Sequence, residues 1–179
     1  MSVSSHLTPD PERRLRLIHG NIYDSLKWTD RKLAAVALLA MLEMSAIGLA
    51  VPGGTLARLA LLALCLAALV SAVAGSPFIE TLKPVPLLDQ RGDKPRPGDT
   101  LVSEYDVARY SQAELTALLD RYLGGGVTGT PYYEDIVGQI VIGARVATRK
   151  RRLFAAACTL AILAQLCLAI RLAAGLTLP

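Results

Sequence analysis

The chain has 179 residues, a formal net charge of +4 and a mean hydropathy of +0.41, with 53% hydrophobic and 19% charged residues. A soluble globular domain carries about 25% charged residues, and here the charges are segregated. Apart from Glu43, Arg58 and Arg171, every one lies in the first 32 residues or between positions 76 and 152. That distribution argues against one soluble domain and for a small membrane protein with polar segments.

At the N-terminus, Asp10-Pro11 is a helix-start signal. Leu15, Ile18, Ile22 and Leu26 then recur at three- or four-residue spacing, one apolar face of a helix. Gly20-Asn21 is a point where it could break. Otherwise it runs into the first apolar stretch, with Trp28 near headgroup level.

Three stretches meet the requirement of about 20 apolar residues for crossing a bilayer core as a helix. They are Leu33–Val51, Thr55–Gly75 and Leu153–Leu176. The first begins too far into the chain and is too long for a signal peptide. Pro52-Gly53-Gly54 is a turn signal that makes the first two spans an antiparallel hairpin. Residues 1–32 carry Arg13, Arg14, Arg16, Lys27, Arg31 and Lys32, and residues 76–152 carry eleven Lys/Arg, including the block Arg149 to Arg152. The positive-inside rule places both segments in the cytoplasm and the C-terminus outside. Arg58 and Arg171 then fall near the outer ends of their spans, where they can snorkel.

Glu43 lies near the centre of span one, where an acid costs on the order of 2.5–3.5 kcal/mol on insertion scales. Gln165 lies near the centre of span three, at about the same depth, so a hydrogen bond between them is geometrically reasonable. Such residues act as glue between helices, or as pore-lining or assembly residues.

Five of the ten prolines fall between residues 76 and 100, favouring an extended connector. Its Arg91-Gly92-Asp93 tripeptide faces the cytoplasm, which argues against an adhesion role. Ser111-Gln112-Ala113-Glu114 is a capping box that opens a short amphipathic helix on Leu115, Leu118, Leu119, Tyr122 and Leu123, ending at Gly124. The glycine-rich segment 124–130 lacks the lysine of a phosphate-binding loop and reads as a hinge. Pro131 restarts a helix, with Glu134 and Asp135 in its first turn, and no breaker separates it from span three. One helix of roughly 70 Å is expected from Pro131 to Leu176.

The expected fold is an all-α membrane protein. Three transmembrane helices carry a cytoplasmic helical bundle made of the N-terminal helix, the short amphipathic helix and the long helix continuous with span three. The expected divisions are 1–32, the hairpin 33–75, the connector 76–110, the amphipathic helices 111–152, and the third span with its tail 153–179. The cysteines Cys65, Cys158 and Cys167 sit in apolar runs without CxxC spacing, and His6 and His19 are far apart. No disulfide framework, metal site, nucleophile–base pair or cofactor motif is apparent, so neither catalysis nor a cofactor is expected.

The order of parts resembles the Pycsar effector transmembrane family of bacterial antiphage defence. The resemblance rests on Asp30-Arg31-Lys32 before the first span, the span hairpin, the Pro-rich linker, the segment LVSEYDVARYSQAEL, and the final helix opening on Tyr133 to Asp135, with Gln139 and Lys150. Where the family tends to carry aromatics and a glycine, Leu101 to Glu104 stand. The resemblance implies a multi-pass inner-membrane effector that responds to a cyclic nucleotide, cCMP or cUMP, from a partner cyclase and impairs the membrane. The bilayer and further copies of the chain are the other expected partners, and nucleic acid is not one.

No strand alternation supports a β-roll nucleotide domain, so a site would be helical. A cyclic phosphate suits a guanidinium and a base suits an aromatic face. The candidates are Arg109, Arg121, Arg145, Arg149 and Tyr133, with Tyr105, Tyr110 and Tyr132 also available. For each arginine the competing reading is a solvated face or a headgroup contact. The competing reading of the whole chain is a structural adaptor whose cytoplasmic helices bind a partner protein while the spans only anchor it.

Overall fold

The computed structural model describes residues 11–50, 54–77, 79, 95–96, 98–123 and 131–177. They form α1 (Pro11–Ala50), α2 (Thr55–Gly75), α3 (Glu104–Val107), α4 (Gln112–Leu123) and α5 (Pro131–Thr177), with no strand among them. The Pro52-Gly53 turn, the Arg91–Asp93 tripeptide with most of the Pro-rich connector, and the segment 124–130 lie outside the described residues. The all-helical membrane class holds: three helices are long and apolar enough to cross a membrane, within Leu15–Leu49, Thr55–Gly75 and Tyr132–Ala174. Both long helices are unbroken. α1 passes Gly20-Asn21 without interruption, and α5 runs 47 residues from Pro131.

The chain divides into two compact units. One takes residues up to Lys27 together with Lys83–Arg149, and the other takes Trp28–Leu82 with Lys150–Pro179.

The core of the first unit joins Leu15 and Ile22 of α1 and Leu115 and Leu119 of α4 to Tyr133, Val137, Ile140, Val141 and Ala144 of α5. Val107, Ala108 and Tyr110 complete it. These last three belong to a one-turn helix and turn inside the stretch whose prolines favoured an extended connector. Two glycines let elements approach closely. A Cβ on Gly143 would stand 3.3 Å from Ile22 Cγ2, and one on Gly138 would stand 3.3 Å from Gln112 Nε2. That amide lies on the α5 backbone and donates to the Glu134 carbonyl at 2.9 Å.

In the second unit α1 and α5 run parallel. Asp30 meets Lys150, Lys32 lies 5.9 Å from the Phe154 ring centroid, and Ala40, Met44 and Ile47 cluster with Ala164, Cys167 and Leu168. α2 contributes Ala60 and Leu64 to the same cluster. It starts from an extended Gly54, and a Cβ there would come 3.6 Å from Arg171 Nη1, so the arginine lies beside the start of the second span. α2 ends where the Ser76 N–H and hydroxyl both donate to the Val73 carbonyl, just before Pro77.

Candidate functional site

The polar groups fall into three sets, each within one unit. The first surrounds the turn between α3 and α4. Asp99 accepts from Arg109 Nη1 at 2.8 Å and from the Arg96 backbone N–H at 2.8 Å. Asp106 accepts from the Thr100 N–H and hydroxyl at 3.0 and 3.1 Å, and lies 3.6 Å from Arg109 Nη1. Arg145 reaches the same turn from α5, donating through Nη2 to the Tyr110 carbonyl at 3.0 Å and through Nε to the Ala108 carbonyl at 3.4 Å. A charged fork on the two carbonyls helps close a turn that lies between two helices.

Arg109 and Arg145 are therefore brought together, and Arg149 follows one helical turn after Arg145, buried at 8% exposure. Arg121 is exposed on the last turn of α4. Tyr133 sits in the core at the start of α5, twelve residues before Arg145, which is about 18 Å along the helix. The five residues do not share one site. Arg109 keeps one unused donor: its side chain is 14% exposed and its Nε is buried without a hydrogen-bond partner among the described residues.

A second feature, not legible in the sequence, is an open cleft of about 480 Å³ lined by Gln112, Ala113, Thr116, Ala117, Asp120 and Glu134. Asp120 Oδ1 and the Tyr133 hydroxyl are both buried and have no hydrogen-bond partner among the described residues. Burial, and then the nearby Asp120 charge, push the Tyr133 phenol above its ordinary value of 10.0. A cleft lined by two carboxylates and no arginine is a poor host for a phosphate.

The third set belongs to the span unit. Lys150 Nζ donates to both carboxylate oxygens of Asp30, at 2.9 and 3.1 Å. The lysine side chain is 3% exposed and the aspartate 38%. Beside this pair Lys32 stands 5.3 Å from the Trp28 ring centroid, the aromatic and cationic pairing suited to a headgroup layer. Deeper in the spans, Ser45 and Thr159 return their hydroxyls to the carbonyls four residues back, at 3.0 and 2.9 Å. Glu43 and Gln165 are not bonded to each other. Glu43 is half-buried with Oε2 unpartnered among the described residues, and Gln165 is exposed on α5. The intrachain hydrogen bond that their depths made geometrically reasonable is not formed: Glu43 Oε2 is enclosed, while Gln165 is exposed.

Three spans continuous with a polar helical unit through α1 and α5 define a multi-pass membrane protein with a built-in helical head. The chain matches the Pycsar effector protein domain, PycTM, over residues 14–178 and belongs to that family. It is thus a membrane effector of antiphage defence. Comparison with curated proteins and with solved structures gives no match.

Proposed function

We propose that a cyclic nucleotide, cCMP or cUMP, made by a partner cyclase activates this effector, which then impairs the inner membrane of the infected cell without catalysing a reaction. The observation that carries the reading is membership of the Pycsar effector family across nearly the whole chain. The fold supplies a physical route. A ligand that prefers one packing of the helical head shifts the population toward it. α1 and α5 continue from that head into the spans without a break, so repacking their first halves acts directly on their second halves. The Lys/Arg distribution supports a cytoplasmic N-terminus and head and an external C-terminus.

Arg109 is the phosphate contact of this reading. A planar guanidinium flanked at Nη1 by Asp99 and Asp106 can take an oxyanion in place of a carboxylate. The test is purified protein in liposomes carrying a potential-sensitive dye. Adding cCMP or cUMP should collapse an imposed potential, and Arg109→Ala should abolish the response while Arg121→Ala, on an exposed helix end, leaves it intact. An unchanged potential with both nucleotides overturns the reading.

A further inference from the structure

Two lysines stand at adjacent levels just before the first and third apolar runs, and the chain treats them differently. Lys150 is 3% exposed, with its Nζ on both carboxylate oxygens of Asp30, so its charge is balanced within the chain. Lys32 is exposed and has no ion-pair partner among the described residues. Its Nζ lies 5.3 Å from the Trp28 ring centroid and 5.9 Å from that of Phe154. Ring faces steady an ammonium without neutralising it, and its N–H donors remain available to an anion.

The surroundings of Lys32 come from both long helices. Trp28 is one turn before it on α1, and Arg31, three residues after Trp28, stands beside them. Phe154 comes from α5, with Arg151 three residues before it. Trp28 is 56% exposed, and Arg31 and Arg151 are exposed as well. Arg31, like Lys32, has no ion-pair partner among the described residues. Asp30 is the one carboxylate within residues 28–32 and 150–154, and Lys150 occupies both of its oxygens. The patch is therefore cationic, with an aromatic edge. Its depth decides what meets it. The apolar runs begin at Leu33 and Leu153, so these residues sit where both helices enter the hydrocarbon, at headgroup level.

We propose that this patch holds the headgroup of an anionic phospholipid, with Arg31 and Lys32 on its phosphate and the Trp28 and Phe154 rings against the glycerol and upper acyl carbons. A zwitterionic headgroup brings an ammonium that these cations repel, whereas an anionic headgroup leaves its negative charge uncancelled. Arg151 adds to the attraction from the α5 side. Because the site draws on both helices, a bound lipid ties α1 to α5 at this level and stabilises the folded protein by mass action. The inference goes beyond the proposed response to a nucleotide and does not depend on it.

The test uses the full-length protein in neutral detergent, titrated with phosphatidylglycerol and followed by its thermal midpoint. The midpoint should rise with phosphatidylglycerol and stay unchanged with phosphatidylcholine or with inorganic phosphate at the same concentration. Arg31→Gln and Lys32→Gln should each raise the lipid concentration needed for half the rise about fivefold, while Lys32→Arg, which keeps the charge, should not. A double variant, Arg13→Gln with Arg121→Gln, removes two charges from exposed positions elsewhere on α1 and α4 and should respond as the original protein does. All four positions are exposed, so these substitutions leave the buried core intact. An equal rise with phosphatidylcholine would mean that any lipid suffices, and an equal rise with phosphate that the ligand is a free anion. An equal loss in the Arg13 and Arg121 variant would mean that diffuse charge, and not the patch, attracts the lipid. Each of these results overturns the proposal, as does no rise at all. No nucleotide is present, so failure here is distinct from failure of the liposome assay.

Discussion

The two units bury different mixtures of residue. The helical head encloses large side chains: Leu15, Leu115, Val107, Val137 and Ile140 are all at or below 1% exposure. The span unit encloses mostly alanines, with Leu33, Ile47, Leu64 and Ile79 among them. Ala40, Ala57, Ala60, Ala67, Ala74, Ala157 and Ala164 are buried, while Leu38, Leu42, Leu59, Leu62, Leu69 and Leu172 point outward. In water, removing apolar area drives the large residues in. In lipid that drive between helices vanishes, since acyl chains are as apolar as leucine, and close packing of small residues holds the helices together. One chain therefore follows two sorting rules, and they apply on either side of Lys27–Trp28 and Arg149–Lys150.

The largest test of that contrast is truncation of leucine on each side. Leu115→Ala empties a site at 1% exposure and should cost about 2–5 kcal/mol, seen as a clear fall in the thermal midpoint of the purified protein. Leu62→Ala, at 59% exposure on a span, should change stability by less than about 0.5 kcal/mol because lipid or detergent refills the space. Equal costs would mean that the span unit packs like a soluble core. The opposite substitution comes next. Ala60→Leu puts a large side chain where α2 has 0% exposure, and overpacking should cost about 1–3 kcal/mol in the same assay.

The same contrast explains what was legible in the sequence. Runs such as Leu33–Val51 are set by composition, so the three spans and the unbroken α5 could be read directly, whereas Gly20-Asn21 left open a break in α1 that the structure does not have. The capping box at Ser111 could be read because its partners are three residues apart. What could not be read is whatever joins distant segments. Asp30 and Lys150 stood out only through family resemblance, and nothing local says that residues 120 positions apart form one ion pair. No local signal marks Asp99 and Asp106, yet they hold the turn around Arg109. Arg145 looked free for a ligand but closes the turn at Ala108 and Tyr110. Depth was legible for Glu43 and Gln165 and direction was not, because small shifts in helix rotation decide which side chain faces its own core.

The smallest effects belong to the exposed start of α4, where no lipid or core intervenes. Ser111 Oγ accepts from the Glu114 N–H at 3.2 Å, and Glu114 Oε2 accepts from the Ser111 N–H at 2.8 Å and from its hydroxyl at 2.9 Å. Ser111→Ala removes the cap and should cost about 1 kcal/mol, the usual value for such caps. The bonds from the Ser111 backbone and then from its hydroxyl favour the charged carboxylate, holding Glu114 below its ordinary value of 4.5. The folded state therefore binds this proton less readily than the unfolded chain. The contribution is complete above pH 4.5 and is lost as pH falls through the lowered value. Glu114→Gln should keep an acceptor at the cap but remove this group's share of the acid sensitivity. Urea titrations of the two proteins between pH 3 and 6 should then converge at the acid end and separate slightly toward neutrality. Parallel curves over the whole range would mean that the carboxylate is not held by the cap in solution.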